Sequence, residues 1–228
     1  MKNLLAASLK YQDNQLFVLD QYALPHQENW LLCHSVSEME CLIKALKIRG
    51  APLIGIGASL LVAHLASLHY SKAQLIDAIA QLRKARPTAV NLMHCMDKMS
   101  AAVQKEDYET ALQRCAEAIF EQDIALCNSM ANFGNELVQE GDNILTHCNT
   151  GALATAGIGT ALGVIYKAHQ ANKKIHVWVD ETRPLLQGGR LTAYELERWQ
   201  VPYTLICDNM AASLMAAGKV DKIFVGAD

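Results

Sequence analysis

The sequence predicts an α/β protein in which a mainly helical N-terminal part with short strands precedes a part built around a parallel sheet. The sheet is predicted from the segment beyond Gly141, where short apolar runs alternate with helical segments. Such alternation is typical of parallel strands joined by crossover helices. The N-terminal part is predicted from apolar residues that recur at helical spacing. We place the domain boundary within a long predicted helix, which gives domains 1–125 and 126–228.

The N-terminal part is predicted to begin with strands and to continue as helices. Alternating apolar residues around 16–19 and 30–33, separated by a turn-like segment that contains Pro25, predict two strands. Apolar residues at helical spacing then predict one helix that starts at Ser37. They predict three further helices over 53–68, 72–83 and 107–138. The apolar run over 53–68 is shorter than the roughly 20 residues of a membrane span and is interrupted by polar residues, so it predicts a buried helix.

The second part is predicted to contain strands near 143–147, 174–179, 203–207 and 222–225. Helices are predicted near 152–170, 191–199 and 209–217. Two local signals agree with these boundaries. The spacing of Thr192 and Glu195 predicts a capping box at the start of the second helix, and Gly218 stands where a left-handed residue commonly ends a helix.

Composition and charge argue against several classes of partner. The chain has 228 residues, a net charge of −3 and 51% apolar residues, which is an ordinary globular composition. Nucleic acids and anionic membranes are usually met by a clustered excess of Lys and Arg, so neither partner is expected. Small-molecule and protein partners are favoured.

The cysteines predict a reduced, cytoplasmic protein. Seven cysteines are odd in number and scattered, and they lack the paired spacings of a zinc site or a disulfide framework. The apolar stretch at the N-terminus is too short for a signal sequence. We therefore expect no metal site, and we expect a cytoplasmic location.

Polar or reactive side chains follow each predicted strand of the second part. Cys148, Asp180, Asp208 and Asp228 stand at the four strand ends. In an open α/β sheet, ligands bind beyond the carboxyl ends of the strands. We therefore expect these residues to face one crevice, with Cys148 and Asp228 as an acid–base pair.

Cys148 is the candidate nucleophile or base. It lies between a predicted strand and a helix that is predicted to begin near Thr150, and a helix N-terminus can lower a thiol pKa from about 8.5 to roughly 3.5–7.5. The alternative is a buried structural cysteine. His147 alternates away from Cys148 on the strand, so we interpret it as a structural histidine.

Two arginine-containing turns are candidate anion sites. Arg49, Gly50 and Ala51 directly precede a predicted helix, and Arg86 precedes another. A helix N-terminus and a guanidinium together favour a phosphate, although surface arginines are usually solvated. Gln187, next to two glycines, has the donor and acceptor groups that suit a sugar hydroxyl.

Six segments together resemble the 5-methylthioribose-1-phosphate isomerase family, in the right order over essentially the whole chain. They read Arg-Gly-Ala-Pro from Arg49, Arg-Pro-Thr-Ala-Val-Asn from Arg86, Thr-His-Cys-Asn-Thr-Gly-Ala from Thr146, Asp-Glu-Thr-Arg-Pro from Asp180 with Gln187 and Gly188 after it, Asp-Asn-Met-Ala from Asp208, and Val-Gly-Ala-Asp from Val225. This family is related to ribose-1,5-bisphosphate isomerase and to the regulatory subunits of a translation-initiation exchange factor.

The resemblance implies a smaller N-terminal domain, a Rossmann-like C-terminal domain, a homodimer, and neither a metal nor an organic cofactor. It places the catalytic cysteine on Cys148 and the catalytic acid on Asp228. It places the substrate-binding residues on Arg49, Gly50, Ala51, Arg86 and Gln187. Family members continue past the aspartate, so we expect a C-terminally truncated chain whose Rossmann-like domain is incomplete.

The implied reaction converts 5-methylthioribose 1-phosphate to 5-methylthioribulose 1-phosphate in methionine salvage. Asp228 is expected to protonate the ring oxygen, and Cys148 to act as base in an enolate route or to support a hydride shift. Three alternatives remain: ribose-1,5-bisphosphate isomerase, a non-catalytic regulatory subunit, and a truncated chain that dimerises but is inactive.

Overall fold

The computed structural model describes residues 1–87 and 89–226. The chain folds into two compact units, Met1–Ile124 and Ala125–Asp228. The division falls within the 30-residue helix α5, Tyr108–Leu137. Asp228, the predicted catalytic acid, lies outside the described residues.

The first unit opens with a four-stranded antiparallel sheet in the order β1-β2-β3-β4. The predicted strands are confirmed as β3, Gln15–Leu19, and β4, Trp30–Leu32. Two further strands, β1, Leu4–Leu5, and β2, Leu9–Gln12, were not predicted. A turn at Asp13 and Asn14, both with positive φ, joins β2 to β3, and this tight hairpin connection was not recognised.

Helix α2, Ala51–Ser67, is the core of the first unit. Every residue from Leu53 to Ala66 is buried, so this helix is covered by protein on all sides, as predicted. The helices around it are α1, Val36–Lys44, α3, Lys72–Lys84, and α4, Val90–Val103. Helix α1 begins after Ser35, which forms a capping box with Glu38, rather than at Ser37. Among the described residues, no helix has both the length and the hydropathy to cross a membrane.

The second unit contains a parallel four-stranded sheet in the order β7-β6-β5-β8. The prediction of this sheet is confirmed, with boundaries that differ by one or two residues: β5, Asn143–Thr146; β6, His176–Asp180; β7, Tyr203–Ile206; and β8, Lys222–Phe224. Apolar residues of β5 and β6, including Ile144 and Val177, form a core with Leu162 and Ile165 of helix α6. Helix α5 packs closely here because Gly134 faces Val164 without a side chain.

The helices of the second unit are shorter than predicted. Helix α6 spans Ala161–Gln170, helix α7 spans Ala193–Arg198, and helix α8 spans Ala211–Ala216. The prediction of helix from residue 152 is wrong: Ala152–Ala154 form only a 3₁₀ turn, and an irregular segment separates that turn from α6. Gly218 has φ of 65° directly after α8, so the predicted left-handed end of that helix is confirmed.

The predicted capping box at Thr192 and Glu195 is wrong as well. Thr192 precedes α7 in helical conformation, and its side chain caps nothing there. A π-helical turn, Gly188–Thr192, leads into α7 instead. Such turns are rare in proteins, and many of those that occur lie at functional sites. Thr192 and Glu195 direct their polar atoms to the loop that contains Cys148.

Candidate active site

The candidate site lies where β5 and β8 end side by side. Thr146, the last residue of β5, pairs with Phe224, the last residue of β8, and its hydroxyl donates to the Phe224 carbonyl at 2.9 Å. A Cβ atom on Gly226 would lie 2.7 Å from Cγ2 of Thr150. The segment after β8 therefore passes directly beside the loop after β5, and that loop carries Cys148.

Cys148 is held by its backbone on both sides. Its φ is 62°, in the left-handed region that few residues other than glycine adopt. Its N–H donates to Oγ1 of Thr182 at 2.8 Å, and its carbonyl accepts from Oγ1 of Thr192 at 2.5 Å. The thiol belongs to a half-buried residue. Because no α-helix begins at Thr150, the helix-dipole argument for a thiolate at Cys148 loses its basis.

Buried polar side chains support the loop beyond Cys148. Asn149 is 2% exposed and Glu195 is 4% exposed. The Asn149 amide donates to Oε2 of Glu195 at 2.6 Å, and the N–H of Leu153 donates to Oε1 at 2.9 Å. A Cβ on Gly151 would lie 2.1 Å from the Glu195 carboxylate, so only glycine fits at this position. Glu195 thus organises the loop from its interior.

Thr150 joins this loop to helix α6. Its carbonyl accepts from the N–H of Thr160 at 2.8 Å, and its hydroxyl accepts from the N–H of Leu162 in the first turn of α6 at 3.2 Å. Gly159, with φ of 96°, lies against Gly151 in an isolated β-bridge. The loop therefore doubles back on itself before the helix starts, and this long-range path explains why the predicted helix is interrupted.

His147 and Asp180 form a pair at the ends of β5 and β6. His147 Nδ1 lies 3.0 Å from Asp180 Oδ2, with the imidazole half-exposed and the carboxylate buried. Among the described residues, Oδ1 of Asp180 has no hydrogen-bond partner. Burial raises the pKa of Asp180, its hydrogen bond to His147 lowers it, and the charge of Asp208 raises it further, with a net upward shift. His147 has a polar partner, as its interpretation as a structural histidine requires.

Asp208 fixes the loop that follows β6. Its two carboxylate oxygens accept from the N–H groups of Thr182 and Arg183, each at 2.8 Å. The bond from Arg183 is the largest cause of a lowered pKa for Asp208. Donor atoms of His147, Asp180 and Asp208 lie within 4.8 Å of one another, close enough to hold a metal ion. Loop-ordering hydrogen bonds already account for this cluster, so it carries no metal assignment.

Gln187 lies half-buried at the start of the π-helical turn. The two glycines that follow it belong to this turn. A Cβ on Gly188 would lie 1.8 Å from the carbonyl oxygen of Asp180 and 2.9 Å from Oγ1 of Thr182. The glycine therefore allows the turn to pack on the end of β6, which brings Gln187 to the edge of the sheet that holds Cys148.

The two turns predicted as anion sites precede α2 and α4, and the starts of these two helices pack together in the first unit. Gly50, with φ of 92°, precedes α2, and its position leaves the first N–H groups of the helix without a side-chain cap. A Cβ on Gly55, in the second turn of α2, would lie 3.0 Å from the carbonyl oxygen of Asn91, in the first turn of α4. The starts of α2 and α4 are therefore neighbours, and Arg49 and Arg86 stand at them.

Comparison with known proteins assigns the chain to a family. Residues 47–228 match the profile of the Initiation factor 2 subunit family. The chain belongs to this family. It is 55% identical over all of its 228 residues to a protein of Klebsiella pneumoniae (strain 342) named methylthioribose-1-phosphate isomerase.

Two solved structures share the fold of this chain. A 5-methylthioribose 1-phosphate isomerase from Pyrococcus horikoshii OT3 superposes with a TM-score of 0.87 at 34% identity over 98% of this chain. The translation initiation factor eIF-2B, subunit delta, from A. fulgidus superposes with a TM-score of 0.83 at 37% identity over 97% of this chain. The chain spans 67% of the Klebsiella relative, 66% of the Pyrococcus chain and 68% of the A. fulgidus chain.

The residues that hold Cys148 in place were not found from the sequence. Thr182, Thr192, Asn149 and Glu195 were not among the predicted site residues, although the spacing of Thr192 and Glu195 was noticed and assigned to a helix cap. Glu195 lies 46 positions from Asn149, so no local pattern reveals their contact. The signal available in the sequence was the excess of hydroxyl and amide groups directly after two predicted strands.

Proposed function

We propose that the chain is a methylthioribose-1-phosphate isomerase that converts 5-methylthio-D-ribose 1-phosphate to 5-methylthio-D-ribulose 1-phosphate in methionine salvage. The observation that carries this proposal is the identity of 55% over the whole chain with a relative of that name. The geometry supports it, because hydrogen bonds hold the backbone of a cysteine at the carboxyl edge of a parallel sheet. Aldose–ketose isomerisation needs such a fixed group for acid–base or hydrogen-transfer chemistry.

The sheet order supports a Rossmann-like domain. In order of sequence, the four strands lie 3-2-1-4, which is the arrangement of the first four strands of a doubly wound sheet. The chain passes from β5 to β6 on one side of β5, whereas β8 pairs with the other side of β5. Ligands bind in the crevice at such a reversal. The end of β5, with Cys148 directly after it, is at this point.

The substrate needs an acid because phosphate on the anomeric oxygen prevents ordinary ring opening. Asp228 is proposed to protonate the ring oxygen, whereupon the bond from that oxygen to C1 breaks. Hydrogen then leaves C2 and reaches C1, and the C2 hydroxyl loses its proton to become the ketone. Cys148 is proposed to take the C2 proton in an enolate route or to stabilise the reacting carbons during a hydride shift.

The phosphate is proposed to bind at the starts of α2 and α4. Arg49 and Arg86 are proposed to supply guanidinium groups, and Gly50 and Ala51 to supply backbone N–H donors, beside the positive ends of two neighbouring helices. Gln187 is proposed to bind a sugar hydroxyl. A homodimer is also part of the proposal, and light scattering after size exclusion tests it.

The experiment is to follow the conversion of 5-methylthioribose 1-phosphate by phosphorus NMR, with circular dichroism on the same sample. The proposal expects the ketose phosphate to appear from a folded sample. Ribose 1,5-bisphosphate is the control substrate. Faster turnover of that compound would replace the proposed substrate with its rival, and no turnover of either by the folded protein would reject isomerase activity of this 228-residue chain.

A regulatory subunit is the second candidate, because the A. fulgidus relative with 37% identity is named as a subunit of a translation initiation factor. A subunit of this kind needs no reactive group at the end of β5. Binding of 5-methylthioribose 1-phosphate without conversion, measured by calorimetry on the sample used for NMR, would favour this candidate.

A further inference from the structure

Two residues of the second unit that both have left-handed backbone contact each other. Cys148 and Thr182 both have φ of 62°, and the N–H of Cys148 donates to the hydroxyl of Thr182 at 2.8 Å. Left-handed backbone is strained for any residue with a Cβ, and more so for β-branched threonine. Such strain persists only where neighbouring groups enforce it, and it is concentrated at functional sites.

Three contacts enforce the conformation of Thr182. Besides its bond from Cys148, its N–H donates to Oδ1 of Asp208 at 2.8 Å, and its hydroxyl donates to the carbonyl of Asp180 at 3.2 Å. Thr182 is 6% exposed, so these bonds are shielded from water. Since the hydroxyl proton points to Asp180, the lone pairs of Oγ1 face the N–H of Cys148. Asp208, Thr182 and Cys148 thus form a chain of hydrogen bonds across the ends of three strands.

We propose that Thr182 is a positioning residue for Cys148, and that Asp208 acts through it. The proposal rests on the function proposed above. Reacting atoms must be held close to their productive geometry, and a displacement of about 1 Å can cost about 10²-fold in rate. Without the hydroxyl of Thr182, Cys148 loses the bond that compensates for its strained backbone. The residue then relaxes towards negative φ, which moves the thiol away from the substrate carbons.

A positioning role for Thr182 predicts one result that a purely structural role does not predict. Loss of the hydrogen bond between Cys148 and Thr182 is expected to slow turnover. It is also expected to open the loop and expose the thiol of Cys148. Local opening of this kind leaves the rest of the core closed. We therefore expect slower catalysis together with faster alkylation of Cys148, while the buried thiols of Cys33 and Cys127 stay protected.

The test compares Thr182→Val, which removes the hydroxyl and keeps the shape, with Thr182→Ser, which keeps the hydroxyl. Thr204→Val is the matched control, because it removes a threonine hydroxyl that bonds to His176 elsewhere on the sheet. We expect kcat to fall about 10–100-fold in Thr182→Val with a much smaller change in KM, to recover in Thr182→Ser, and to stay unchanged in Thr204→Val.

Iodoacetamide labelling with mass spectrometry gives a readout that does not need isomerase activity. The labelling rate of Cys148, measured relative to exposed Cys41, is expected to rise in Thr182→Val and to match the wild type in Thr182→Ser. If Thr182→Val does not fold, Asp208→Asn replaces it with the same expected results. Wild-type kcat and wild-type labelling in Thr182→Val, or failure of Thr182→Ser to restore both, would overturn the role of Thr182. An inactive wild type rejects only the proposed function, because the labelling rates still decide whether the hydroxyl of Thr182 holds Cys148 in place.

Discussion

Helix α2 and the loop after β5 are both buried, but different kinds of contact stabilise them. Every residue of α2 from Leu53 to Ala66 is buried, and regular backbone with apolar side chains satisfies that burial. The segment from Cys148 to Thr160 is also largely buried, but it is irregular and is held by Asn149, Thr192 and Glu195. Regular apolar packing gives α2 stability, whereas the loop uses buried polar groups to fix the position of a single thiol.

The difference shows where local sequence rules fail. The left-handed backbone of Cys148 and Thr182, the π-helical turn and the buried Glu195 all contradict local preference, and all of them belong to the site around Cys148. Proteins violate such rules mainly at functional sites, where other contacts offset the cost. The strained loop is therefore where a single substitution is expected to change activity most.

The largest expected effect is on turnover. Cys148→Ser replaces the thiol with a hydroxyl, which ionises far less readily and is a weaker nucleophile, while both backbone hydrogen bonds remain. A positioned acid or base contributes about 10²–10⁴-fold, so kcat should fall by that factor with little change in melting temperature. Phosphorus NMR and thermal denaturation measure the two quantities. Turnover close to that of the wild type would remove Cys148 from the mechanism.

The next effect is on stability and contrasts the two regions directly. Glu195→Met removes the acceptor of two buried hydrogen bonds, from Asn149 and Leu153, and should cost roughly 2–4 kcal/mol of unfolding free energy. Leu60→Met in α2 is the matched control, since it places the same residue in an apolar site and should cost less than about 1.5 kcal/mol.

Urea denaturation of both variants measures these costs. If Glu195→Met were as well tolerated as Leu60→Met, the loop would not depend on its buried carboxylate, and the contrast between the two regions would fail.

A smaller effect is expected at the proposed phosphate site beside α2. Arg86→Gln should raise KM about tenfold or more, because a charged hydrogen bond contributes roughly 1.5–3 kcal/mol. Arg83→Gln is the control: Arg83 lies nearby in the sequence but pairs with Asp97 at the surface, where an ion pair contributes little. Steady-state kinetics compare the two variants. An equal rise in KM for both would show that general charge, rather than Arg86, attracts the substrate.

The smallest effect concerns Asp180. Its pKa is raised chiefly by burial, so the folded state disfavours its charged form. The resulting penalty is absent below its ordinary pKa of 3.8 and is complete once pH exceeds the raised value in the folded protein. Asp180→Asn should therefore match or exceed the wild type in melting temperature near pH 7 to 8, with a difference that shrinks as the pH approaches about 4. A variant that is clearly less stable at neutral pH would contradict this.

Prediction from the sequence succeeded where structure follows local periodicity. The four strands of the second unit and the buried helix at Leu53 are confirmed because apolar spacing alone decides them. The end of α8 at Gly218 is confirmed because one glycine supplies the required positive φ.

The parts that failed depend on contacts between distant residues. The loop after β5 replaces the predicted helix because Glu195 binds Leu153 from 42 positions away. The spacing of Thr192 and Glu195 resembled a capping box, but both side chains serve the Cys148 loop instead. Cys148 was proposed as a site residue because it follows a predicted strand, whereas the contact between Thr182 and Cys148 could be recognised only from the structure.

The most direct test of the central claim is to label the seven cysteines with iodoacetamide while following the loss of isomerase activity. Exposed Cys41 and Cys207 serve as internal references. We predict that inactivation tracks modification of Cys148, and that 5-methylthioribose 1-phosphate protects Cys148 without slowing the labelling of Cys41 or Cys207. Inactivation that tracks another cysteine, or labelling of Cys148 that the substrate does not slow, would contradict a catalytic site at the end of β5.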